Sequence, residues 1–79
     1  MIMKIEIFGK DQCPFCVEAV TLAKRIEEST YTYKKLGNDF TREELFEQFP
    51  TARTFPQIKI NGEVVGGFAE FKEFIKDNV

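Results

Sequence analysis

Met3-Lys4-Ile5-Glu6-Ile7-Phe8-Gly9-Lys10-Asp11-Gln12-Cys13-Pro14-Phe15-Cys16 is the stretch on which the fold turns. Through Phe8 it alternates apolar and charged side chains and then stops at Gly9, the pattern of a strand whose apolar face is Met3, Ile5 and Ile7. From Cys13 the period changes. Ala19, Leu22, Ala23 and Ile26 recur at spacings of three and four, while Glu18, Lys24, Arg25 and Glu28 fill the opposite side. That spacing predicts an amphipathic helix of about four turns, with Pro14 at its first position, where the missing N–H costs nothing. Strand, short loop and helix in this order open a β-α-β unit.

The rest of the chain continues the unit. Tyr31 to Leu36, rich in Tyr and Thr and closed by Gly37-Asn38, predicts the second strand. Thr41-Arg42-Glu43-Glu44 has capping-box spacing, and Phe40 with Leu45 has that of a hydrophobic staple. A second helix is expected there, with Leu45, Phe46 and Phe49 as its buried side and Pro50 as its stop. Gln57-Ile58-Lys59-Ile60 and Glu63-Val64-Val65 flank Asn61-Gly62, the strongest short hairpin signal, since both turn residues need positive φ. After Gly66-Gly67, the stripe Phe68, Phe71, Phe74 and Ile75 marks a last helix. The order β-α-β-α-β-β-α predicts one parallel pair and one antiparallel hairpin. The result is an α/β fold similar to the thioredoxin-like kind, a mixed four-stranded sheet with three helices.

Composition narrows the function. Seventy-nine residues fit one domain, taken as 1–79. A core at this size is marginal, and nine Phe help to fill it. A formal charge of −2 leaves no basic footprint for nucleic acid. No apolar run has the length of a membrane span, and the charges at Lys4 and Glu6 interrupt any signal-peptide core, so a cytoplasmic setting is expected. Two cysteines and no histidine fall short of a disulfide scaffold or an all-protein zinc site.

The chemistry centres on Cys13-Pro14-Phe15-Cys16. Inside a β-α-β pattern such a pair reads as redox-active. Unpaired N–H groups and the positive helix end stabilise a thiolate at Cys13, which the preceding loop should leave at the surface. Lys10 adds positive charge and Asp11 partly opposes it. Cys16, one turn further in, is placed to displace a partner from Cys13, the two steps of thiol–disulfide exchange. A purely structural bridge across three residues would constrain little chain. A metal centre would need a second copy or an external thiol. Two further features flank the motif. In Arg53-Thr54-Phe55-Pro56-Gln57, residue statistics alone favour a trans Phe55–Pro56 bond; a cis bond would turn the Phe55 backbone outward for strand addition. Gly66-Gly67 would expose the N–H groups of Phe68 and Ala69 at a helix start, where a carboxylate can bind.

Together these residues resemble a glutaredoxin over nearly the whole chain. Cys13-Pro14-Phe15-Cys16 is similar to the family's Cys-Pro-Tyr-Cys, Thr54-Phe55-Pro56 to its Thr-Val-Pro, and Gly66-Gly67 to its glycine pair. The resemblance implies a thioredoxin-like fold, a cis Pro56 and disulfide reduction with glutathione as reducing co-substrate and no metal. It implies that Cys13 attacks and Cys16 resolves, that Lys10 holds the glycyl carboxylate, and that Phe15 walls the site. The Phe55 backbone, with Arg53, Thr54 and Pro56 beside it, would pair with the cysteinyl part of glutathione. The N–H groups after Gly67, on Phe68, Ala69 and Glu70, would receive the γ-glutamyl end. Implied partners are glutathione and disulfide-bearing proteins such as ribonucleotide reductase, met by a monomer. The chain departs from the family at Phe15 and at Phe68-Ala69-Glu70, where an acidic or hydroxyl side chain is usual. One lost charged hydrogen bond at Ala69 would weaken glutathione by about 1.5–3 kcal/mol. Two alternatives share the fold: a redoxin reduced by a thioredoxin reductase, and a dimeric module holding a [2Fe–2S] cluster with glutathione.

Overall fold

The computed structural model describes residues 2–78. Its order is β1 (Met3–Gly9), α1 (Pro14–Arg25), β2 (Ser29–Lys35), α2 (Arg42–Gln48), β3 (Gln57–Ile60), β4 (Glu63–Gly66) and α3 (Phe68–Asn78), as the periodicities predict. The strands form one sheet in the order β2-β1-β3-β4. β1 runs parallel to β2 with Ile7 opposite Tyr33, and antiparallel to β3 with Ile7 opposite Ile58; β3 and β4 pair antiparallel. The hairpin turn has Asn61 at φ 53° and Gly62 at φ 85°, the positive pair expected of Asn-Gly. Asn61 also ties the turn to β1, its Oδ1 accepting from the Lys4 N–H at 2.9 Å and its own N–H reaching the Lys4 carbonyl at 2.8 Å.

Two apolar clusters cover the sheet, one on each face. Ile5, Ile7, Ile58 and Ile60 meet Ala19, Ala23 and Ile26 at α1 and Phe71 of α3. On the other face Phe8 meets Phe40, Leu45 and Phe49 around α2. The edge of Phe8 contacts the rings of Phe40 and Phe49, each with centroids 5.2 Å away. The alternation of β1 therefore breaks at its end, where Phe8 is 1% exposed on the face that carries Lys4 and Glu6 further back. Ile5 and Ile7, with Met3 packed against them, are the face read from the alternation, and Phe8 adds a second buried contact on the other side of the sheet.

Three corrections follow from local geometry. α1 ends after 12 residues, short of four turns, because Ile26 is already extended. β2 begins two residues earlier than predicted, and the Ser29 hydroxyl donates to the Ile26 carbonyl at 2.8 Å across the junction. Phe46 is 48% exposed and not on the buried side of α2. A helix of seven residues presents one narrow line to the sheet, and Leu45 and Phe49, four apart, occupy it. The capping box of α2 is complete: Thr41 Oγ1 accepts from the Glu44 N–H at 3.1 Å, and Glu44 Oε1 accepts from the Thr41 N–H at 2.9 Å.

Candidate active site

Cys13 is the residue that caps α1. Its backbone is extended at φ −127° and ψ 96°, and its Sγ accepts the N–H of Cys16 at 3.2 Å. Pro14, next in line, has no N–H to offer, and the first turn holds no acidic side chain. The positive end of the helix therefore meets no carboxylate of its own first turn, and the Cys16 N–H is shared between Cys13 Sγ and the Cys13 carbonyl, 3.1 Å away. Cys13 and Cys16 are joined in a disulfide with Cα atoms 5.2 Å apart. In this oxidised state Cys13 is 9% exposed and Cys16 is 1% exposed. Cys13 thus lies deeper than the surface position expected of it.

The loop from β1 to α1 is pinned from β2. The Tyr33 ring lies over Gly9, where a Cβ would collide with it, and the Tyr33 hydroxyl donates to the Lys10 carbonyl at 3.3 Å. Lys35 Nζ donates to Asp11 Oδ1 at 2.9 Å. That ion pair raises the Lys35 pKa and sets an opposite charge beside the carboxylate that sequence set against Lys10. Partial burial, then repulsion by Asp11, raises the Tyr33 pKa above its ordinary value. Gln12 completes the loop at φ 53°. Lys10 Nζ sits 5.4 Å from the Phe55 ring centroid, so its charge borders the next segment.

That segment carries a cis Phe55–Pro56 bond, as the family resemblance implied and residue statistics did not. Gln57, buried at the start of β3, donates its Nε2 to the Thr54 carbonyl at 2.7 Å and fixes the approach to Pro56. Across from it, Gly66 at φ 125° turns the chain into α3. Glu70 folds back over this turn, and its Oε1 accepts the Gly67 N–H at 2.8 Å. Between the two segments lies a groove of about 270 Å³ lined by Phe15, Thr54, Phe55, Gly67, Phe68, Ala69 and Glu70. The rings of Phe15 and Phe68 contact each other at 5.7 Å and wall one side. A second groove, of about 500 Å³, opens on the far side of the disulfide between α1 and the edge strand β2.

Most of the residues singled out from sequence converge here. Cys13 and Cys16 form the bridge, Phe15, Thr54, Phe55, Gly67, Phe68, Ala69 and Glu70 line the first groove, and Lys10 lines the second while facing Phe55. Arg53 stands apart, in a recess of about 100 Å³ that adjoins the groove through Thr54 and Phe55. Tyr33 was not anticipated. Its partners are set by the parallel register of β1 and β2, which no local pattern in the sequence encodes. Among the described residues, no group of three or more His, Cys, Asp or Glu is arranged to hold a metal ion, and no helix is long and apolar enough to cross a membrane.

A bridge that spans one helical turn, caps its own helix and has its flanking residues Lys10 and Phe15 facing a cis-proline segment has little to hold together and much to exchange. The class so defined is that of thioredoxin-fold thiol–disulfide oxidoreductases. A family model described as glutaredoxin matches residues 5–65. Glutaredoxin 1 of Escherichia coli is 30% identical over 83 residues, covering 98% of both chains. The structure of reduced E. coli glutaredoxin superposes with a TM-score of 0.84 at 30% identity over 95% of each chain, and the oxidised form with 0.78 at 29% over 96%. The chain belongs to the glutaredoxin family.

Proposed function

We propose that this chain, working as a single monomeric domain in the cytoplasm, reduces glutathione mixed disulfides and protein disulfides with glutathione as its electron source. Ribonucleotide reductase is one protein substrate this reading includes. The observation that supports it most is the groove that Phe15, between the two cysteines in sequence, shares with the cis-proline segment. It offers a backbone edge at Thr54–Phe55, two aromatic walls, and a turn at Gly67 that combines free-facing helix N–H groups with the Glu70 carboxylate. A γ-glutamyl end carries both a carboxylate and an ammonium. The N–H groups of Phe68 and Ala69 suit the first, and Glu70 suits the second. Ala69 itself contributes no side-chain hydrogen bond, so the Glu70 contact carries the recognition of the amine.

The proposed cycle starts from the dithiol. The Cys13 thiolate attacks the glutathione-linked sulfur of the substrate, breaking that S–S bond and releasing the other half as a thiolate that takes up a proton. The resulting Cys13–glutathione disulfide is attacked by a second glutathione thiolate, which yields oxidised glutathione and regenerates the Cys13 thiolate. With a protein disulfide, the Cys16 thiolate instead attacks Cys13 Sγ, freeing the reduced protein and leaving the Cys13–Cys16 bridge. Two glutathiones then reopen it. The Cys16 N–H at 3.2 Å from Cys13 Sγ is in place to stabilise the departing Cys13 thiolate.

The test is NADPH consumption in the presence of glutathione, glutathione reductase and a small glutathione mixed disulfide. Wild type and Cys16→Ser should both turn over, whereas Cys13→Ser should be inactive. Cys16→Ser should lose only the reduction of protein disulfides that need a dithiol. Loss of both activities in Cys16→Ser would reverse the assigned roles. No turnover by folded wild type would move the electron donor to a thioredoxin reductase.

A further inference from the structure

We propose that Arg42, Phe46 and Arg53 form a docking shelf for protein substrates, one that takes a segment combining a carboxylate with an apolar side chain next to the reacting cysteine. The inference rests on the oxidoreductase reading above and adds to it a preference among protein disulfides.

Three observations carry it. Phe46 is 48% exposed beside a recess it lines together with Leu45, Arg42 and Arg53, so a large aromatic that the core does not use borders the site. Arg42 occupies the first position of α2, directly after the Thr41 cap. A cation there meets the positive end of the helix and gains nothing in stability, so its presence calls for a reason outside the fold. Among the described residues neither Arg42 nor Arg53 is in an ion pair, whereas Lys34 and Lys35 are paired with Glu6 and Asp11. Both guanidiniums line the recess and no acidic side chain does, so on a chain of net charge −2 the recess is locally positive even with Glu43 and Glu44 on the same turn as Arg42. The recess shares Thr54 and Phe55 with the groove that Phe15 of the cysteine motif lines. A peptide that adds to the Phe55 backbone therefore continues into it within a residue or two. Glutathione, only three residues long, need not reach Phe46 or Arg42. A protein segment does, and the two guanidiniums select a carboxylate while the ring covers an apolar neighbour.

The experiment compares three disulfides in the coupled assay: hydroxyethyl disulfide, a short peptide whose two cysteines are bridged to each other and flanked by Leu and Glu, and the same bridged peptide with Lys in place of Glu. Wild type should reduce the acidic peptide with a kcat/KM about three- to tenfold above that for the basic one, and added salt should narrow the gap. Arg42→Gln should remove much of that preference, and Phe46→Ser should lower kcat/KM for both peptides. Both residues are exposed, so both variants should keep the wild-type circular dichroism, and their hydroxyethyl disulfide activity should stay at the wild-type level. Equal rates on the two peptides in wild type, or an undiminished preference in Arg42→Gln, would overturn the shelf while leaving the glutathione reading intact. Absence of turnover on all three substrates would overturn that reading and the shelf with it.

Discussion

The sulfur of Cys13 occupies a position that Ser, Thr, Asp or Asn fills in most helices, where a side-chain oxygen accepts the N–H three residues on. Here that acceptor is also the reacting atom, so one hydrogen bond from Cys16 serves both the cap and the thiolate. Its position depends on the three loop residues before it, of which Tyr33 holds Lys10 and Lys35 holds Asp11. The hydroxyl bond to the Lys10 carbonyl is partly exposed and 3.3 Å long, worth at most about 0.5–1.5 kcal/mol. Tyr33→Phe keeps the ring over Gly9 and should change stability little near neutral pH. It should loosen Lys10 and raise KM for the glutathione mixed disulfide roughly two- to fivefold at constant kcat, the scale of one weakened contact. Gly9→Ala, which displaces the whole ring, should act more strongly, and steady-state kinetics on both variants would decide it. An unchanged KM in both would leave Tyr33 a purely structural residue. The phenol also has a pH signature. Its folded pKa is raised, first by burial and then by Asp11, so its contribution to stability is intact below the ordinary value of 10.0 and is lost as pH climbs from there through the folded value. The unfolding free energy measured between pH 9 and the onset of alkaline unfolding should therefore fall less steeply for Tyr33→Phe than for wild type.

At the scale of elements, the ends are better determined than the middles. α2 has seven residues, too few to be stable alone, and depends on its capping box and on Leu45 and Phe49 in the lower core. Thr41→Ala should cost about 1 kcal/mol and lower Tm by about 4–8 °C, with redox activity kept; a thermal melt followed by circular dichroism would check it. A variant that melts with wild type would show that the cap is redundant with the Phe40–Leu45 contact. The same box was legible in the sequence because a capping signal is local: Thr41 and Glu44 speak to each other across three residues. So was Asn61-Gly62, whose positive φ pair is a property of two residues, and so was Pro14 at the head of α1. What stayed hidden was set by distant partners. Phe8 is buried because α2 is laid over its face of the sheet, and Phe46 is exposed because Leu45 and Phe49 already fill the contact line. The cis state of Pro56 was readable only through family resemblance, since local preference points the other way. The site residues followed the same rule. Cys13, Cys16 and Gly67 announce themselves by spacing, and Tyr33 does not, because it reaches Gly9 through the register of a parallel pair.

For the whole molecule the question is what must survive when the bridge opens, since exchange chemistry breaks it in every cycle. The bridge closes a loop of four residues, and the loop-closure relation gives it about 2 kcal/mol of stabilisation at most. In the reduced state the Cys16 N–H and the helix end favour the Cys13 thiolate, which offsets part of even that. The apolar clusters on the two faces of the sheet are larger in effect. Phe71 is fully buried among Ile5, Ile7, Ile58 and the α1 alanines, and Phe71→Ala should cost about 3–5 kcal/mol. A chain of 79 residues has in total roughly 4–12 kcal/mol to lose. Reduction should therefore leave the protein folded and shift its unfolding free energy by no more than about 2 kcal/mol, whereas Phe71→Ala should remove a large share of it in either redox state. Urea unfolding of oxidised and dithiothreitol-reduced wild type, beside oxidised Phe71→Ala, measures both. If reduction proved costlier than the loss of Phe71, the bridge would be a structural staple, and a fold that depends on it could not open it on every turnover.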